Sequence, residues 1–210
     1  MRTSARNVTL VLFDEVEALD FAAVLQVLTQ AGRHWNWRPF KIDTVGAARG
    51  AIRSVSQLGI AVDHDRDGCP EGELLVIPGG YGARRAADDA RWVDFARERG
   101  SRAELVLTLG WGALLAARAG LADGLEIAAP KEAAAAMAEA APGARVLTDV
   151  RAHSADKLVS GQSGAASLDV GLLALSRVLG EKQALAVAQA LGHEWSGSAP
   201  ERFRIDILPP

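Results

Sequence analysis

The segment 105–117, Leu-Val-Leu-Thr-Leu-Gly-Trp-Gly-Ala-Leu-Leu-Ala-Ala, limits what this chain can become more than any other. Residues of strand character run from Leu105 into Gly110 and a helix-forming apolar run follows at once, so the backbone must reverse sharply at Gly110. Strand, tight turn and helix in that order predict a nucleophile elbow, where a reactive side chain stands on a strained turn beside backbone N–H groups. Thr108-Leu109-Gly110-Trp111-Gly112 has the spacing of such turns, yet glycine holds the centre. The central residue usually takes positive φ, which glycine adopts without strain and to which it brings no chemistry.

The rest of the chain supplies an α/β setting for that turn. Val8-Thr9-Leu10-Val11-Leu12-Phe13 and Glu73-Leu74-Leu75-Val76-Ile77 are continuous apolar runs, as expected of strands covered on both faces of a parallel sheet. A helix is expected after Asp14-Glu15-Val16-Glu17 as far as Gly32, a second strand over residues 37–45, and a short hairpin over 52–62. Pro78-Gly79-Gly80-Tyr81-Gly82 reads as a turn at a strand's carboxyl end, and residues 88–99 as an amphipathic helix with Trp92, Val93 and Phe95 inward. Further on come a strand over 125–128, a helix over 132–139, short strands near 146–148, 151–153 and 157–160, and helices over 165–179 and 181–191. Strands alternating with helices predict a flavodoxin-like α/β sandwich with a mostly parallel sheet, one domain over residues 1–195 and a tail over 196–210. Ligands of such sheets bind beyond the carboxyl ends of the strands, where Gly80 and Gly110 both fall.

Composition narrows the function classes. With 23 Lys and Arg against 26 Asp and Glu, the net charge is −3 and no basic run appears, so nucleic acid is not the expected partner. No segment is apolar enough for a membrane span and no signal-peptide pattern is read at the amino end. A single cysteine, Cys69, permits no internal disulfide and suits a reducing cytoplasm. No helix-turn-helix segment is read before Pro210, so direct contact with DNA is not expected.

Several motifs resemble one family. Phe13-Asp14-Glu15-Val16-Glu17-Ala18-Leu19-Asp20-Phe21, Leu75-Val76-Ile77-Pro78-Gly79-Gly80, Gly112-Ala113-Leu114-Leu115-Ala116-Ala117, Gly120-Leu121-Ala122-Asp123-Gly124, Ser167-Leu168-Asp169 and Gly192-His193-Glu194-Trp195 are similar to the ThiJ/PfpI superfamily, related to class I glutamine amidotransferases. The likeness spans nearly the whole chain and is nearest the isonitrile hydratase-like branch. It implies that Asp20 projects into the site, that Gly80 and Trp111 offer oxyanion-type N–H groups, and that Tyr81 and Pro130 border a ligand. It also implies a homodimer, and neither a metal nor another cofactor. The departures are specific: the family's nucleophilic cysteine falls on Gly110, and where the hydratase-like branch has a histidine this chain has Pro130, in Ala128-Ala129-Pro130-Lys131. A thiolate attack assisted by a carboxylate needs both nucleophile and acid, and Asp20 alone remains. The expected function is therefore a small-molecule-binding or regulatory member without thiol chemistry. Its alternative is a weak isonitrile hydratase or hydrolase using Asp20 as general base with the Gly80 and Trp111 amides.

Each candidate also has a plainer reading. Asp20 is either an acid or base raised by an apolar pocket or the N-cap of a helix over 21–29. The Gly80 and Trp111 amides form either an anion-accepting pair or an ordinary strand-to-helix connection. Trp111 is either a plug filling the vacated pocket, the favoured reading, or a platform for an apolar ligand. Cys69, ahead of Pro70, reads as inert. Asp63-x-Asp65-x-Asp67-Gly68 copies half of a calcium loop, but Leu74 stands at the twelfth position and cannot coordinate. His193-Glu194 lacks the second histidine of a zinc helix and His153 has no motif around it.

Overall fold

The structure is a computed structural model, described here for residues 5–33 and 38–197. Trp37, expected to open the second strand, and the tail from residue 198 lie outside the described residues. The main sheet takes β1 (Arg6–Val11), β2 (Phe40–Gly46), β5 (His64–Asp65), β6 (Leu74–Ile77), β7 (Leu105–Leu109), β10 (Ala152–Ala155) and β11 (Leu158–Gly161). Its order is β10-β11-β7-β6-β1-β2-β5, parallel throughout except for the β10–β11 edge pair. Every residue of β6 and β7 is buried, so helices must cover both faces, as a run of apolar residues without alternation requires. One set of helices comprises α1 (Ala18–Gln30), α6 (Ala166–Leu179) and α7 (Glu181–Ala190), and another α2 (Tyr81–Ala87), α3 (Ala90–Arg102) and α4 (Gly112–Arg118). This is the mostly parallel α/β sandwich that the strand and helix alternation predicts.

Two small sheets sit beside the main one. The expected hairpin is β3 (Gly50–Arg53) against β4 (Gly59–Val62), paired antiparallel, and its turn leans on the loop after β1 through the Val55 N–H, which donates to the Val16 carbonyl at 3.0 Å. The other sheet joins β8 (Glu126–Ala128) to β9 (Arg145–Leu147), with α5 (Ala134–Ala140) between them after one 3-10 turn at Lys131–Ala133. Two elements differ from expectation. The Pro-Gly-rich turn after β6 leads directly into α2, a helix whose Gly-rich start hides it, and β5 is only a two-residue addition to the edge of β2. Asp89 caps α3 by accepting the Arg91 N–H at 2.9 Å, so that helix begins after the position expected and runs on to Arg102.

The fold delivers three strand ends to one place. β1, β6 and β7 are adjacent and parallel, so the loop into α1, the turn into α2 and the turn into α4 all leave the same edge of the sheet. β11 pairs with β7 in register, Gly161 opposite Leu109, which places the segment before α6 beside the same turns.

Candidate functional site

Gly110 forms the elbow between β7 and α4 at φ +53°, the left-handed conformation expected of it. A Cβ there would stand 3.1 Å from Ser163 Cβ, 3.5 Å from Ser163 Oγ and 3.6 Å from Asp20 Oδ2. The space into which a nucleophilic side chain would project is thus bounded by a hydroxyl and a carboxylate.

The turn beneath it cannot be built with larger residues. Gly80 has φ +104°, and a Cβ on it would lie 2.2 Å from the Glu15 carbonyl oxygen and 2.6 Å from the Glu17 nitrogen. The two strand-end loops therefore touch backbone to backbone, with the Glu17 N–H donating to the Gly79 carbonyl at 3.0 Å. This contact sets the entry angle of α1, and with it the place of Asp20.

Asp20 is entirely buried, and it is not the helix cap. The helix begins at Ala18 with Glu17 at its cap, so Asp20 falls inside the first turn and its side chain points away from the helix axis toward the sheet edge. This corrects the expected N-cap role over 21–29, and the reason is geometric: a cap residue lies outside the first turn, whereas Asp20 already has helical neighbours before it. Four donors converge on its carboxylate. The Gly79 N–H reaches Oδ2 at 2.9 Å, while Oδ1 accepts from Ser163 Oγ at 2.8 Å, the Gly164 N–H at 2.8 Å and Ser167 Oγ at 3.1 Å. Burial pushes the Asp20 carboxyl up from its ordinary value, and the bonds from Gly164, Ser163, Gly79 and Ser167 pull against that rise without cancelling it.

Ser163, Gly164, Ser167 and Gly79 were not singled out by sequence reasoning as site residues. Gly161-Gln162-Ser163-Gly164 reads only as a turn, and no local pattern reveals that it reaches a carboxylate 143 residues earlier. Ser163 is itself exposed while the carboxylate it binds is not, so its hydroxyl links buried Asp20 to the outside. Gln162 holds this segment in place, its Nε2 donating to the Ala129 carbonyl at 3.0 Å and the Val150 carbonyl at 3.2 Å. Through Ala129, Pro130 is fixed next to the same turn, where it caps the 3-10 helix.

Trp111 is half-buried and packs against the core, with the Arg84 guanidinium 5.2 Å from its ring centroid. Beyond its own chain neighbours, a Cβ on Gly110 would meet Ser163 first. Tyr81 is 62% exposed and lies at the rim.

The other candidates lie outside this constellation. Cys69 is a buried free thiol, pushed up from its usual value by that burial, in the loop before β6. Asp63 accepts from Thr44 Oγ1 at 2.7 Å, which holds its carboxyl below the ordinary value, and Asp65 closes its own loop by accepting the Gly68 N–H at 2.7 Å. Two of the three carboxylates of the half calcium loop are thus engaged within the protein, Asp63 by Thr44 and Asp65 by its own turn. His193 bonds to Asp169 at 2.7 Å, which also accepts from Arg151 at 2.6 Å, and His153 approaches Glu126 at 3.4 Å. Among the described residues, no group of three or more His, Cys, Asp or Glu is placed to hold a metal ion, and no helix is long and apolar enough to cross a membrane.

A mostly parallel α/β sandwich with a strand–turn–helix elbow facing a buried carboxylate defines a class of site that covalent enzymes and binding proteins share. The chain belongs to the DJ-1/PfpI family, whose model matches residues 6–176. It is 24% identical over 205 residues to the HTH-type transcriptional regulator GbdR of Pseudomonas aeruginosa, covering 96% of this chain and 54% of that one. The chain therefore spans about half the length of this curated relative. Among solved structures it resembles a ThiJ/PfpI family protein from Pseudomonas syringae, with a TM-score of 0.80 at 21% identity over 99% of this chain and 78% of that one. It also resembles an AraC family transcriptional regulator from Pseudomonas putida, with a TM-score of 0.72 at 20% identity over 89% and 99% of the two chains. At these identities the structural likeness speaks for the fold.

Proposed function

We propose that this chain is a small-molecule-binding DJ-1/PfpI protein with a regulatory role, working without thiol chemistry. The observation that carries this reading is the elbow itself: Gly110 holds the left-handed turn, and no sulfur stands where a covalent route would need one. The transcriptional regulators among the chain's relatives support the regulatory role. A lone cysteine that is buried and unpaired agrees with a cytoplasmic protein, and family membership with a homodimer. Sedimentation at micromolar concentration tests the dimer, and a monomer would end that part of the reading.

A second reading has its own support. Burial raises the Asp20 carboxyl, which suits a general base, and the Gly80 and Trp111 amides lie at the starts of α2 and α4 beside it. Such a site is a weak isonitrile hydratase or hydrolase, since general base catalysis alone is worth about 100- to 10,000-fold. Incubating the purified chain with an alkyl isonitrile and assaying for the N-alkylformamide separates the two. No product, with a ligand-dependent rise in thermal stability from a small-molecule panel, fits the binding reading; sustained turnover abolished by Asp20→Asn overturns it in favour of the second.

A further inference from the structure

The hydroxyl that borders the vacated elbow has the geometry of a reactive group. Ser163 Oγ lies 3.5 Å from where a Cβ on Gly110 would be, donates to Asp20 Oδ1 at 2.8 Å, and belongs to an exposed residue. Its base is fully buried and held in one orientation by the Gly79 N–H, the Gly164 N–H and Ser167 Oγ, so it cannot swing away from Ser163. A serine bonded to a base that is itself oriented by further groups is the general arrangement of an activated oxygen nucleophile.

We propose that Ser163 is an acyl-accepting nucleophile paired with Asp20, standing in the place of the missing thiol and acting on esters or thioesters with good leaving groups. Ser163 Oγ bonds to the acyl carbon as its proton passes to Asp20 Oδ1. The bond from carbon to the leaving oxygen or sulfur breaks, and the departing group takes the proton from Asp20. Water then attacks the acyl carbon, Asp20 accepts its proton and returns it to Ser163 as the acid leaves, so the net reaction is hydrolysis. A carboxylate is a weak base toward an alcohol, which restricts the substrates to aryl esters and thioesters, whose leaving groups need little protonation. This inference uses the Asp20 site of the proposed function but rests on no regulatory role.

The test uses the full chain with two probes, a fluorophosphonate and p-nitrophenyl acetate, read by intact mass and peptide mapping. The expected result is one adduct per chain on Ser163, absent in Ser163→Ala and retained in Ser101→Ala, an exposed serine of α3 outside the site. Asp20→Asn, where it folds, should slow labelling about 100-fold or more, the low end for removal of a general base. Ser163→Cys keeps the pairing with Asp20 and should be alkylated by iodoacetamide faster than Cys69. An unlabelled wild-type chain, an adduct on another residue, or equal labelling of Ser163→Ala overturns the proposal. Labelling at Ser163 without any ligand-dependent stabilisation would leave it standing while the binding reading fell.

Discussion

Replacing two glycines of the site by alanine should separate a turn that tolerates a side chain from one that forbids it. At Gly110 the φ of +53° lies inside the left-handed region, where a side chain costs about 1–2 kcal/mol. Alanine also narrows the unfolded ensemble, which returns about 0.4–1 kcal/mol. The one tight contact, 3.1 Å to Ser163 Cβ, involves an exposed residue that can give by a few tenths of an ångström. Gly110→Ala is therefore expected to cost about 1 kcal/mol and lower Tm by roughly 2–4 °C for a domain of this size. Gly80→Ala differs in kind. Its Cβ would meet backbone atoms at 2.2 Å and 2.6 Å, neither able to rotate aside, so the crossing of the two loops must open and the Glu17-to-Gly79 hydrogen bond with it. A cost above about 4 kcal/mol and a fall in Tm of at least about 8 °C follow. Thermal unfolding followed by far-UV circular dichroism measures both, and Gly110→Ala/Ser163→Gly should regain part of the smaller loss. Equal losses at the two positions, or no loss at Gly80, would refute the account of the elbow.

Asp20→Asn should destabilise the fold by about 1–3 kcal/mol, because an amide nitrogen in place of either oxygen turns a donor toward a buried donor; chemical denaturation measures it. The pH dependence has a definite sign. The folded carboxyl titrates above its unfolded value near 3.8, so the folded state holds the proton longer and this group's contribution is lost as pH rises from about 4 through the folded pKa. The stability gap between wild type and Asp20→Asn should accordingly narrow with rising pH across that window, whereas a widening gap would mean that the four hydrogen bonds outweigh burial. Gly110→Cys should fold and place its thiol against Asp20, and iodoacetamide should label it before Cys69, whose burial holds the thiol protonated. Leu107→Ala, at a fully buried position in the central β7, should cost about 2–5 kcal/mol by denaturant titration.

Strands β1, β6 and β7 and the elbow were legible because each rests on a local rule: an unbroken apolar run, or glycine between a strand and a helix. The hairpin over β3 and β4 was legible for the same reason, since Gly59 interrupts its β-prone residues. Helix α2 was not, because Pro78, Gly79, Gly80 and Gly82 are turn formers and only a neighbouring backbone explains why glycine is needed at Gly80 and Gly82, where added Cβ atoms would strike Glu15 and Asp14. At Asp20 the sequence left two roles open, a poised acid or base and a cap, and only the cap is removed by the structure. Its neighbours in sequence suggest a cap, whereas the groups that decide its chemistry arrive from residues 79 and 163–167, brought near only by the order of strands in the sheet. Ser163 was missed on the same ground, since a serine between glutamine and glycine looks like any loop residue until β11 is laid beside β7.

The short distance between positions 110 and 163 makes them a single decision for any polypeptide of this architecture. Bulk at one obliges its opposite number to shrink or retreat, so a survey of kindred sequences that sorts them by the first column alone will misfile some. Scored jointly, the two columns would distinguish chains furnished for sulfur from those furnished for oxygen.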